Sequence, residues 1–135
     1  SNKIYLGIMG DEVSLTESDG GNVIAFVVGN RLYSYNVVDR KLAFLFGFYD
    51  TENMDARSLY DKYGIKILSV DEGGNVTFLV YGYMNRGRHE GKVGISVHYY
   101  DSTVNTTEEM VYVPYYKSPE LLLAVLDYDV LAVQR

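Results

Sequence analysis

The chain has no cysteine and no tryptophan among its 135 residues, and only two prolines. Without cysteine there is neither a disulfide nor a thiolate metal site. Cations are also scarce: 12 lysines and arginines stand against 18 aspartates and glutamates, a net charge of −6. Nucleic acids and anionic membrane surfaces are held by clustered cations, so this balance argues against both as partners. No apolar run approaches the ~20 residues of a membrane helix, and no signal peptide is visible. A Gly-x-Ser-x-Gly nucleophile elbow is missing as well. What the sequence does have is tyrosine, fourteen of them, with five phenylalanines. Aromatic and β-branched residues suit a pleated, half-buried surface, so the composition points to sheet.

Periodicity bears this out along the chain. Residues 73–100 read as two long strands folded back through a glycine-rich bend, with Val76, Phe78 and Val80 alternating in one arm and Val93, Ile95 and Val97 in the other. Gly87 and Gly91 bracket the bend. Earlier, 4–9 is a short apolar strand, and 13–17 alternates Val13, Leu15 and Glu17 against Ser14 and Thr16. The continuous apolar run 23–28 is a central strand covered on both faces. Gly29-Asn30 turns the chain into 31–36, and a further turn leads into the apolar strand 42–48. Residues 51–63 read as a short surface helix or ordered loop stopped by Gly64, followed by a strand over 65–70. After a polar turn, 108–116 forms a partner strand with Met110, Tyr112 and Pro114 on one face. Pro114 cannot donate to a ladder, so that strand ends there or lies at an edge. Ser118-Pro119-Glu120 opens a second short helix, and 130–133 is a last strand.

The chain also repeats itself. Setting residues 15–29 against 68–82, at a constant offset of 53, gives identities at Leu15/Leu68, Gly20/Gly73, Gly21/Gly74, Asn22/Asn75, Val23/Val76, Val27/Val80 and Gly29/Gly82. In each copy an alternating strand, a Gly-Gly-Asn turn, an apolar strand, a hairpin and a Tyr-rich strand follow in order. A period of ~40–50 residues with four strands per unit is how propeller blades read in sequence. The stretch GGNVIAFVVGNRLYSYNVVDRKLAFLFG, residues 20–47, resembles a blade of the β-propellers found in the Tol-system periplasmic protein and in prolyl-oligopeptidase-type peptidases. The likeness covers one blade well and the second copy through Gly82. It implies a fold and carries over no catalytic residue. A closed propeller of four or more blades would exceed the chain. The expectation is therefore a mainly β protein of antiparallel blade-like or sandwich-like sheets from an internal duplication, with one or two short helices. It is read as one β domain over 3–135, with repeats at about 12–48 and 65–116 and a terminal helix and strand over 118–133. Ser1-Asn2 resembles a scar of tag removal, so the sequence reads as a piece of a longer protein.

Candidate chemistry is thin. His89 and Glu90, with His98 and Asp101, are the nearest thing to a metal or acid–base cluster, but their spacing matches no zinc pattern, and no metal or cofactor is expected. Asp19, Asp71 and Glu72 lack the ligand spacing of a calcium loop. The Gly-Gly-Asn turns lack the lysine and helix of a phosphate loop. Tyr81, Tyr83, Tyr99, Tyr100, Tyr112, Tyr115 and Tyr116 would either line a sugar-stacking face or complete the sheets. The second copy differs from the first by a longer hairpin tip. Tyr83, Asn85, Arg86, Arg88, His89 and Glu90 there form a candidate contact loop, with arginines suited to carboxylates. The function expected is a non-enzymatic binding or scaffolding domain of a bacterial extracytoplasmic or surface protein, with a protein partner or self-association through sheet edges. The alternatives are an accessory propeller domain of a hydrolase whose catalytic part lies elsewhere, and a tyrosine-based carbohydrate-binding module.

Overall fold

The structure is a computed structural model that describes residues 13–48, 63–84, 88–89 and 92–114. The protein is mainly β. Eight described strands, β1 (Val13–Glu17), β2 (Val23–Val28), β3 (Arg31–Asn36), β4 (Lys41–Gly47), β5 (Gly64–Val70), β6 (Val76–Met84), β7 (Lys92–Asp101) and β8 (Thr106–Pro114), make two sheets. Each is an antiparallel meander of four strands in chain order, β1-β2-β3-β4 and β5-β6-β7-β8. The two expected helices, at 51–63 and from 118 on, and the outermost strands at 4–9 and 130–133 lie outside the described residues, apart from Tyr63, which precedes β5 without regular structure.

The two long strands expected over 73–100 are β6 and β7, paired from Val76↔Tyr100 to Met84↔Lys92. Pro114 ends β8, the outermost strand of its sheet among the described residues, which suits its missing N–H. One facial assignment needs correction. Met110 does not share a face with Tyr112 and Pro114, because the register shifts between His98↔Glu109 and Val97↔Val111 and leaves Met110 as a bulge, 61 % exposed.

The sheets stack face to face around one core. The first contributes Ala25, Val27, Leu32 and Leu45; the second contributes Ile65, Val76, Phe78, Val80 and Tyr100. Phe78, Val76 and Val80 are wholly buried, and a phenylalanine taken fully out of water contributes about 2–3 kcal/mol. Phe46 seals the junction, its ring 5.9 Å from that of Phe78 and 5.5 Å from that of His98. The strand order is kept across the stack: β5 lies over β1 and β2, and β8 is the strand nearest β4. Strand direction is kept too. The Gly20 amide in the β1–β2 turn donates to the Glu72 carboxylate in the β5–β6 turn, and the β3–β4 and β7–β8 turns flank a common cleft.

The duplication therefore runs further than its identities. In both sheets a four-residue turn joins the last two strands and closes on a non-glycine residue with positive φ, Arg40 at 56° and Asn105 at 55°. Four pairs follow each turn before the fourth strand bulges, at Leu45 and at Met110. Counting from those bulges matches a row of cross-strand neighbours in one sheet to a row in the other. Leu15–Phe26–Tyr33–Phe44 corresponds to Ile67–Phe78–His98–Glu109. The second row faces the core. The first, of opposite parity to Ala25 and Val27, faces away from it.

For β6 the inversion arises in the turn before it, while in β5 the bulge at Leu68 makes the matching one-residue shift. Both Gly-Gly turns open alike, with Gly21 (φ 75°) donating to Ser18 and Gly74 (φ 90°) donating to Asp71. The first closes with Ser18 N–H to the Val23 carbonyl, the second one residue sooner, with Asp71 N–H to Asn75. Glu17 consequently faces Ile24, but Val70 faces Val76. With a side-chain period of two, one residue turns the whole following strand over.

Candidate functional site

The hairpin tip at the end of β6 and β7 is only partly described. Asn85, Arg86 and Glu90 lie outside the described residues, and for Tyr83 the backbone pairing to Val93 is what is fixed. Arg88 is exposed in a turn. His89 does not project with it. The His89 carbonyl accepts from the Lys92 amide, its Nε2 lies 2.8 Å from Glu109 Oε1, and its ring stacks on Tyr112 with centroids 3.6 Å apart and planes within 5°.

Glu109 leads inward to the one described group of titrating side chains between the sheets. It pairs across strands with His98, and both belong to the buried row. Ser96, two residues before His98 on the same face of β7, brings its Oγ to 2.8 Å from His98 Nε2. The imidazole lies flat on Phe78, centroids 5.2 Å apart and planes 12° apart. Burial among these rings pushes the His98 pKa below its ordinary value. The Glu109 charge opposes the shift and the His89 charge adds to it. His98 is thus held neutral near pH 7.

Serine, histidine and glutamate side by side are the residue types of a nucleophilic triad, but the geometry does not suit that chemistry. Ser96 is 2 % exposed and buried beneath sheet packing, where no substrate carbonyl reaches its oxygen. Glu109 gives Oε1 to His89 rather than orienting His98. The four residues form two coupled pairs, Ser96–His98 and His89–Glu109, that tie the tip to the core. Asp101, grouped with the histidines on sequence grounds, faces the other side of β7 and accepts from the Thr103 amide instead. Among the described residues, no three His, Asp or Glu side chains converge on a metal position.

The tyrosines are divided between faces. Tyr100 and Tyr112 point to the inter-sheet side, while Tyr81 and Tyr99 alternate to the opposite side of the second sheet. These four make no common stacking platform; the Tyr83 side chain, Tyr115 and Tyr116 lie outside the described residues.

The chain matches no family model, no curated protein and no solved structure. A polar cleft of about 640 Å³ opens between the β3–β4 and β7–β8 turns, lined by Asn36, Asp39, Lys41, Tyr100, Ser102 and Asn105. Much of its polar lining is already engaged: the Tyr100 hydroxyl donates to Asn105 Oδ1 at 2.7 Å, and the Ser102 hydroxyl to the Gly73 carbonyl at 2.6 Å. Apolar side chains are exposed on the outer faces. On the outer face of the first sheet Leu15, Leu42 and Phe44 are 59, 54 and 52 % exposed. On the outer face of the second, Val111 is 50 % exposed, in a row with Leu79 and Val97.

Sequence reasoning found His89 and His98 and named Tyr112 among the tyrosines, but missed Ser96 and Glu109. The Ser96/His98 pairing was available from period-two alternation. Glu109 was not, because its facing depends on a register that the bulge at Met110 sets.

Proposed function

We propose that this chain is a non-enzymatic binding or scaffolding unit of blade-like sheets, belonging to an extracytoplasmic or surface protein. The observation that carries the reading is the matched pair of rows. Ile67–Phe78–His98–Glu109 is covered by the first sheet, while its counterpart Leu15–Phe26–Tyr33–Phe44 is more apolar still and open at both ends. Sheets stacked in the same order and direction, each apolar on both faces, are suited to packing between neighbours, as blades do. A two-layer sandwich leaves its outer faces to water. The buried Ser96 and the engaged Glu109 favour a scaffold over a hydrolase. The extracytoplasmic assignment rests on the blade resemblance and fits a chain without cysteine.

The test is site-specific photo-crosslinking in the producing cell, with the reactive residue replacing exposed Phe44 or exposed Arg88 in the parent protein. Position-specific adducts with another protein chain are the expected result. Adducts at neither position, or substrate turnover that disappears in His98→Gln, would overturn the proposal.

A further inference from the structure

The internal stack also says what should cover the open faces. In the junction within the chain, the row Ser14–Val27–Leu32–Phe46 of the first sheet shares the core with Ile67–Phe78–His98–Glu109 of the second, and Phe46 lies against both Phe78 and His98. The counterpart of the first of these rows, counted from the bulges as above, is Lys66–Leu79–Val97–Val111. It lies on the outer face of the second sheet. The counterpart of the second is Leu15–Phe26–Tyr33–Phe44, on the outer face of the first. Each molecule thus carries, on its two outer faces, both halves of the junction it has already made once inside.

We infer that the outer face of the second sheet of one copy stacks on the outer face of the first sheet of a second copy, repeating the internal junction head to tail. The inference rests on the blade-like reading and names the occupant: another copy of this chain. Its anchor residues are Leu79, Val97 and Val111 on one side and Leu15, Tyr33 and Phe44 on the other. Phe26, 3 % exposed and stacked on Tyr33 at 5.5 Å, forms the floor of the second surface, with Leu15 and Phe44 standing open at its ends. A contact between two different faces is heterologous, so it closes only as a ring or else propagates as a filament. Two, three or four copies would close rings within the range of roughly four to eight blades that propellers adopt.

The experiment is sedimentation and light scattering on the whole chain over a concentration series, with Leu15→Lys and Val111→Lys. Both residues are at least half exposed, so each variant should keep the wild-type circular dichroism and melting temperature. The wild type is expected to assemble, and each variant to lose the assembly. An equal mixture of the two variants should recover a 1:1 dimer and nothing larger, because one intact junction remains between them. That last result separates face stacking from pairing of strand edges, which neither lysine would restore by mixing. A monomeric wild type at every concentration, variants that assemble undiminished, or a mixture that stays monomeric would each overturn the inference. A monomer that still crosslinks to a different protein through Phe44 would leave the scaffolding proposal standing while removing self-stacking.

Discussion

The two sheets differ by one residue in the turn between their first and second strands, and the difference shows what a duplication must change in order to pack against itself. Two copies with identical facing, stacked in the same order and direction, would present opposite faces to the junction. Here valines at matching sequence positions, Val23/Val76 and Val27/Val80, all face one core. Shortening the second turn achieved this. It also displaced a backbone acceptor. In the first sheet the Val37 amide, at the start of the β3–β4 turn, donates to the main-chain carbonyl of Asn22. The matching Ser102 amide in the second sheet donates to the side-chain Oδ1 of Asn75, at 2.9 Å. A side-chain amide replaces the peptide group that was skipped.

The largest expected effect tests the matched rows. Phe78→Ala should cost about 4 kcal/mol, as for other fully buried phenylalanines. Phe44→Ala, in the corresponding row of the first sheet, should cost under about 1 kcal/mol in the isolated chain, since its ring is half exposed. Chemical denaturation of both variants measures this, and equal losses would mean that the rows are not treated differently.

The next effect sharpens the comparison of the turns. Asn75 accepts from Ser102 through Oδ1 and donates from Nδ2 to Asp71, at 3.0 Å, while its amide is capped by Asp71 Oδ1 at 2.9 Å. Burial acts to raise the Asp71 pKa and is the largest single influence, but the hydrogen bonds from the Asn75 side chain and from the Asn75, Gly73 and Gly74 backbone together outweigh it and hold the carboxyl below its ordinary value. Asn75→Ala should lower stability by about 2 kcal/mol by orphaning the Ser102 amide. Asn22→Ala, which keeps its main-chain acceptor, should change it by less than about 0.5 kcal/mol.

The smallest effect concerns pH. His98 occupies the place that Tyr33 holds in the first sheet, and its folded pKa is depressed by burial. In the window between that depressed value and the ordinary histidine value of about 6.5, the unfolded chain binds a proton that the folded chain does not. The stabilisation is complete above that ordinary value and is lost as pH falls through the window. Melting curves between about pH 5 and 7 should therefore slope less steeply in His98→Gln than in wild type. An unchanged slope would mean that His98 is not the group responsible.

Much of this was legible beforehand. The strands from Val13 to Pro114, their antiparallel order and the duplication followed from alternation, turn residues and seven shared positions. Facing was not legible across the whole repeat. Identities align at an offset of 53, yet β6 corresponds to β2 at 52, Phe78 to Phe26, because the chain kept its residues while the ladder skipped one. The bulges at Leu45, Leu68 and Met110 left no mark in composition either, since a bulge is set by how neighbouring strands twist together. That is why Glu109, and with it the bond that draws His89 inward, could not be anticipated.

The bond from Gly20 to Glu72 carries a further meaning. A backbone amide in one copy of the repeat is capped by a carboxylate that only the other copy supplies, and Phe46 of the first copy closes over Phe78 of the second. Neither copy is then an independent folding unit. Cut between 48 and 63, each half would expose an apolar face and leave half of a turn unsatisfied, so the two sheets should melt in one cooperative transition. What began as two equal copies has become mutually obligate, with each half acting as a template for the other.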